Sequence, residues 1–512
     1  MRGVLRSLAV AVAGSGLVVG VAYLPAPLSL ARGTSHGPAT TPLVEPVTQA
    51  QSICPGPEAL GIAGLRDSLA QVVSVTAAAA PESALPAGLA VGQNAGTLKI
   101  SGLPTGGRWA GPVTVRGQAT SAKISTARSA LVAGDGAMAP GTVATQRSWV
   151  KSGDNRGLVT AACMPAAASS WLIAGGGGPG RRERLVLTNP GSNPVMVDLT
   201  VLGVNGPIQS PNGHGLVVGP HARTVILLDA IAGSEPSPVV HVVVQKGEVA
   251  AVLSDAWLDG VIPRGGDDTA PVAAPALEQV MAGVAIAGRA TLRIAVPGDG
   301  EAVVEARVLT ASGPKPLDAN GVTRLAAHST KDIDLSALPP DAYAVQVRAD
   351  VPVVAAAMVD RRLAPDAQSD LAWSGASAPI TTLAGMALGD KALGGKALAG
   401  KAVGDKAVGG PGGTGLMGRL DLAATYDPAS VLVTTVDANG QASSKEVAIG
   451  ADSVSSLALD GATSVWVTPL TGVVRAAVLT WVTDAGGTLL SVTPLSDLTL
   501  TTTSARLREL RN

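Results

Sequence analysis

The run Arg184-Leu185-Val186-Leu187-Thr188-Asn189-Pro190 returns in pattern as Thr291-Leu292-Arg293-Ile294-Ala295-Val296-Pro297, and again, shortened, as Arg419-Leu420-Asp421-Leu422. Each copy leads into a second apolar-alternating run: Val197–Leu202, Val304–Leu309 and Val431–Val436. A third run closes each copy. It reads Val249 to Asp255, Val354 to Asp360, and Val474 to Trp481. Alternation with period two marks a strand with one face buried and one solvated. Asn189-Pro190, Asp318-Ala319-Asn320-Gly321 and Asp437-Ala438-Asn439-Gly440 supply turn chemistry between the runs. Units of roughly 100 residues with six to eight short strands have the size and rhythm of an antiparallel sandwich.

The sequence therefore predicts an all-β chain of tandem antiparallel β-sandwich (Ig-like) domains after an N-terminal signal or anchor helix. Helix-period segments are scarce: Ala276–Met281 reads as a short helical turn, and the tail Ser504–Leu510 as a brief helix. The expected order is a leader (1–31), a disordered Pro-rich linker (32–51) and a divergent β domain (52–172). Three sandwiches follow at 173–278, 279–383 and 416–500, and a tail at 501–512. Between the last two sandwiches, residues 384–415 form a Gly/Ala/Lys low-complexity segment with Lys391, Lys396, Lys401 and Lys406 five apart. That spacing fits neither helix nor strand, and the segment reads as a flexible linker.

Composition narrows the class. Lys+Arg total 37 and Asp+Glu 38, a formal charge of −1, so no basic field is available to hold a nucleic acid. Apolar residues reach 46% while aromatics are 2%, with no Phe, so the cores must be built from Ala, Val and Leu.

The N-terminus sets the compartment. Arg2 and Arg6 precede an uncharged run whose apolar centre is Leu8–Leu24, and Ser29-Leu30-Ala31 offers small side chains for cleavage. A cleaved signal and a retained anchor through residues 4–24 are both compatible with this layout. Either places the remainder outside the cytoplasmic membrane. Two cysteines, Cys54 and Cys163, fit an oxidising compartment and most simply form one disulfide; two buried free thiols are the alternative.

Further residues carry a family resemblance. They are Cys54-Pro55-Gly56-Pro57, Ala161-Ala162-Cys163, Trp171, the glycine run Gly175–Gly178 with Pro179-Gly180-Arg181-Arg182-Glu183, Leu185–Pro190, Trp257-Leu258-Asp259-Gly260 and Asp267-Asp268-Thr269-Ala270-Pro271. Together they resemble an actinobacterial exported family of unknown function, domain of unknown function fifty-seven-nineteen. The resemblance implies export, an envelope setting and a β-rich ectodomain, and it carries no activity or site residues.

Catalytic and cofactor motifs are poor. Gly175, Gly177 and Gly180 satisfy G-x-G-x-x-G, but a strand rather than a helix follows, and Pro179 lacks a donor. Gly395–Lys401 spells G-x-x-x-x-G-K, with Ala402 where a phosphate loop needs Ser or Thr. His214 and His221 lie in a Gly/Pro-rich connection without ligands at metal spacing. No cofactor and no metal is expected. The most suggestive group is the acids Asp255, Asp259, Asp267 and Asp268 with Trp257 and Arg264 between them, beside Arg181 and Arg182. Paired acids next to Trp suit sugar binding or glycoside hydrolysis, and equally a hydrogen-bonded loop. Arginines could meet acidic glycans, or simply solvate a sheet edge. The expectation is a non-enzymatic cell-envelope spacer or binding scaffold whose partners are envelope proteins or glycans, and the membrane if the leader is retained. The alternative is an envelope polysaccharide-binding protein or polysaccharide-modifying enzyme using acids near Asp255–Asp268.

Overall fold

The computed structural model describes residues 43–62, 71–89, 91, 95–104, 107–317, 322–362, 364, 366–389, 393–394 and 415–504. The expected leader 1–31, most of the repeat insert, and the expected helix past Ser504 lie outside the described residues. Two compact units divide the chain: Met1–Glu45 with Thr503–Asn512, and Pro46–Thr502.

Among the described residues the larger unit is nearly all β, with one short α-helical turn at Asp229–Ala232, and forms four sandwiches of one topology. The strands of the first are Gln49–Cys54, Val73–Ala79, Thr97–Leu103, Arg108–Val113, Ala119–Ile124, Ser129–Asp135, Thr142–Val150 and Gly157–Ala162. Counted in chain order, one sheet runs first-sixth-third-fourth and the other fifth-second-seventh-eighth. The second sandwich repeats this order. Its strands are Ser169–Ile173, Arg181–Thr188, Val195–Gly203, Gly206–Ile208, Arg223–Leu227, Val239–Val244, Ala250–Asp259 and Ile262–Thr269, with Leu216–Val218 added beside the third. In the third sandwich the sixth and seventh strands fuse into one 20-residue strand, Asp341–Asp360. Its first half pairs with Ala276–Ile286 and Ala302–Thr310, and its second half with Arg289–Ala295 and Leu371–Gly375. The fourth sandwich begins at Ala384–Ala387 and ends at Gly487–Pro494.

The alternation predicted from sequence builds these layers. Along Val195–Gly203, Val197, Leu199 and Val201 turn into the core, while Met196 and Thr200 face solvent. The three similar runs quoted above are the second, third and seventh strands of their sandwiches, at Arg181–Thr188, Val195–Gly203 and Ala250–Asp259 in the second.

Several details differ from the sequence reading. Ala276–Met281 belongs to an eleven-residue strand, Ala276–Ile286, rather than a helical turn. A short apolar run has no period that separates the two, and here tertiary pairing decides. Residues 43–46 and 49–51, read as linker, lie in strands, as do residues 501–504 of the expected tail. Residues 384–415, expected as a linker between the last two sandwiches, instead open with the first strand of the fourth sandwich. Ala384–Ala387 pairs with Ala462–Thr471, and the amides of Leu388 and Leu393 donate to Thr463 O (2.7 Å) and Ala462 O (3.0 Å). The insert therefore joins the first two strands of one sandwich.

The four sandwiches touch in a closed cycle, each against the next and the fourth against the first. Leu371, Trp373 and Met358 of the third share an apolar cluster with Leu172 and Leu187 of the second. Ala423, Ala477 and Leu479 of the fourth join the core of the third. Trp466 and Val436 of the fourth pack with Ala78 and Val143 of the first. First and second meet through polar contacts. Ser129 and Thr188 share a 2.8 Å hydroxyl bond, and Arg223 donates to the carbonyls of Pro55, Pro57 and Leu60 at 2.7, 2.6 and 2.8 Å. The last strands of all four sandwiches converge where the cycle closes. The entry and exit of this unit are adjacent, with the Val47 amide 2.9 Å from Leu500 O.

Candidate functional site

Strand register sorts the acids singled out from the sequence. Ala250–Asp259 pairs with Ile262–Thr269 so that Asp255 stands opposite Asp267, and Ser254 opposite Asp268. On its other side the same strand places Glu183 opposite Asp255 and Arg184 opposite Ser254. Neighbours on a strand point to opposite faces. Asp267 and Asp268 therefore form no pair. One row is Glu183–Asp255–Asp267, and the other is Arg184–Ser254–Asp268.

The first row is fully enclosed and internally satisfied. Asp255 takes a bidentate guanidinium from Arg181, with Nε to Oδ1 at 2.9 Å, plus the Gly175 amide at 3.2 Å and the Trp373 indole at 2.8 Å. Asp267 accepts the Trp373 amide at 2.8 Å and the Ser491 hydroxyl at 3.1 Å. Burial pushes its pKa well above the ordinary carboxylate range. Glu183 accepts the Gly176 amide at 2.7 Å. Burial, then the neighbouring Asp255, lifts it to about 7. The glycine-rich loop thus does offer its amides to carboxylates, but to the protein's own Asp255 and Glu183, and a strand follows it as expected.

Trp257 is half-buried at the end of this row, with its indole N–H on Pro179 O at 3.2 Å. Three guanidinium carbons approach its ring centroid: Arg181 at 5.0 Å, Arg362 at 5.6 Å and Arg264 at 6.0 Å. Each of these arginines carries its own aspartate. Arg264 binds Asp259 at 2.8 Å and also Ala367 O at 2.7 Å; Arg362 binds Asp360 at 2.9 Å. Beside them Arg182 donates to Asn155 at 2.8 Å. It lines a shallow depression of about 330 Å³ with Pro179, Gly180, Leu258 and Gly260.

Asp268, on the opposite row, is buried and hydrogen-bonded to Ser254. Burial first, then the charge of Glu58, raises it to about 8.

The structure adds a residue that the sequence reading passed over. Asp370 is fully buried and accepts four backbone amides. Oδ1 takes Gly266 at 3.3 Å and Leu371 at 3.0 Å; Oδ2 takes Leu158 and Leu490, both at 3.0 Å. Burial drives its pKa well above the usual range, and the four amides oppose that shift. The sequence signal for this centre was Gly265-Gly266, since a glycine pair inside a strand marks close approach of another chain segment.

Around these residues the chemistry is that of a closed interior. Among the described residues no group of three or more His, Cys, Asp or Glu could hold a metal ion. His214 approaches Asp198 at 3.7 Å, and His241 stacks on Trp171 with ring centroids 4.0 Å apart. Gly395–Lys401 lies outside the described residues. Among those described, no helix is long and apolar enough to cross a membrane. Cys54 and Cys163 form the expected disulfide, Cα atoms 4.4 Å apart, which is consistent with an extracytoplasmic location.

Comparison with known proteins adds the following. The crystal structure of Thermotoga maritima 1070 is 17% identical over 20% of this chain and 95% of that one, with a TM-score of 0.17. A crystal structure of a tetra-tandem repeat in the extending region of a large adhesion protein is 13% identical, covering 84% of this chain and 92% of that one, with a TM-score of 0.09. None of the curated proteins matches the chain. The model of a family of unknown function, DUF5719, matches residues 118–460, most of the chain and all of the second and third sandwiches: the chain belongs to that family.

Proposed function

We propose that this protein is a non-enzymatic scaffold of the cell envelope, exported by its N-terminal segment, that binds envelope proteins or glycans through the loops and free sheet edges of its sandwiches. The observation that carries this reading is the state of the acids. Asp255 and Asp267 are engaged by an arginine, an indole, a hydroxyl and backbone amides inside the protein. General acid–base or nucleophilic work needs a carboxylate within reach of substrate. Asp259, the one more open acid of the group, is tied to Arg264.

The scaffold is better described as a closed body than as an extended spacer, because its sandwiches meet in a cycle and Val47 lies against Leu500. Crosslinking in intact cells followed by identification of the captured molecule tests the proposal. Capture of an envelope protein or glycan is expected. Turnover of an envelope polysaccharide that one substitution among Asp255, Asp259, Asp267 or Asp268 abolishes would overturn it. Deleting residues 2–31 should retain the protein in the cytoplasm.

A further inference from the structure

Asp370 sits where the last strands of the four sandwiches meet. Its four amide donors come one from each sandwich. Leu158 belongs to Gly157–Ala162, Gly266 to Ile262–Thr269, Leu371 to Leu371–Gly375 and Leu490 to Gly487–Pro494. Each oxygen takes two of them, so both lone pairs of both oxygens are used. A carboxylate held by amides makes charge-assisted bonds, stronger than neutral ones. We propose that Asp370 is a latch that couples the four sandwiches, so that they open and close as one body.

The surroundings are shaped for this contact. A Cβ at Gly265 would fall 1.8 Å from Asp370 Oδ1, and one at Gly157 would lie 3.3 Å from it. A side chain at Gly265 would push the carboxylate off the amides, and one at Gly157 would press on it tightly. Further cross-links run beside the latch. Asp267 joins the second sandwich to the third through the Trp373 amide and to the fourth through Ser491. Ser491 Oγ also accepts the Thr160 amide of the first at 2.9 Å. Asp267 and Ser491 each bridge three sandwiches, whereas Asp370 takes amides from all four. A residue that merely capped its own loop would need only the Leu371 amide.

Native-state hydrogen exchange on the full-length protein is the test, read at the amides of Leu158, Gly266, Leu371 and Leu490. In the wild-type protein the four should exchange through a common opening, with equal protection despite lying in four sandwiches. In Asp370→Ala, protection at all four should fall together, by about tenfold or more. Asp370→Asn keeps one acceptor oxygen and replaces the other by a donor, so only one pair of amides should lose protection directly. Four unrelated opening rates in the wild-type protein, or a loss confined to Leu371 in the variants, would overturn the latch. The wild-type measurement decides the question even if Asp370→Ala does not fold.

Discussion

Gly265 lies so close to Asp370 that a single added methyl group would overlap the carboxylate, at 1.8 Å from Oδ1. The residue also adopts φ +90°, a region that side chains avoid. Gly260, five residues earlier on the same hairpin, shares the positive φ (+64°) but has nothing within 4 Å of its Cβ position.

Gly265→Ala and Gly260→Ala should therefore separate steric exclusion from backbone strain. The second should cost about 1–2 kcal/mol, the strain alone. The first should exceed about 4 kcal/mol or prevent folding, as expected when a packed polar network is broken. Urea unfolding of both variants checks this. Equal costs would show that the close approach at residue 265 is unimportant.

Asp268 predicts a dependence of stability on pH. Its folded pKa, about 8, lies above the value an exposed carboxylate has. The folded state thus holds the proton more tightly, and the resulting stabilisation is complete below about pH 4 and lost as pH rises towards 8. Asp268→Asn cannot titrate. It should match the wild type near pH 4, exceed it in stability at pH 8.5, and show a flatter profile between. Denaturant midpoints at the two pH values are the measurement, and a variant weaker than wild type at pH 8.5 would refute the assignment. Glu183, at about 7, adds to the same slope.

The Cys54–Cys163 bridge closes a loop with a sequence separation of 109. Chain entropy gives such a bridge up to about 4.7 kcal/mol. Replacing both cysteines by Ser should lower the melting temperature of the protein. Thiol reagents should label the native wild-type protein only after reduction, and labelling without reductant would contradict the bridge.

The repeat insert offers a deletion test. Gly394 donates to Leu416 O at 3.0 Å, and a Cβ at Gly415 would lie 3.8 Å from Gly394 Cα. The chain leaves and re-enters the fourth sandwich at neighbouring points. Removing residues 395–414 and joining the ends with a short Gly/Ser turn should leave the thermal transition in place, because loop length enters stability only logarithmically. A variant that loses its cooperative transition would show that the segment holds the sandwich together.

The fold class was legible because aliphatic alternation survives in each copy. Val197, Leu199 and Val201 declare their face without help from neighbours. Closure of the cycle was not legible. Asp370 follows Ser369 in a polar connection, and nothing local reports that Leu158, Gly266 and Leu490 will surround it. The acids near Asp267 stand close together in sequence, but closeness along a strand does not place side chains on one face. The pleat separates Asp267 from Asp268 and brings Asp255 to Asp267 instead.

The 2.9 Å bond between Val47 and Leu500 determines how this unit would bear a mechanical load. In a string of sandwiches, tension passes through every member in turn. Here a pull on the two flanking segments is met by that bond and by the strands beside it, Leu43–Pro46 and Thr501–Ser504, which pair with each other, and the four sandwiches hang beside the load path like a bead tied on by a loop of thread. Extension would therefore begin by parting these paired strands and then Val47 from Leu500, with all four cores intact.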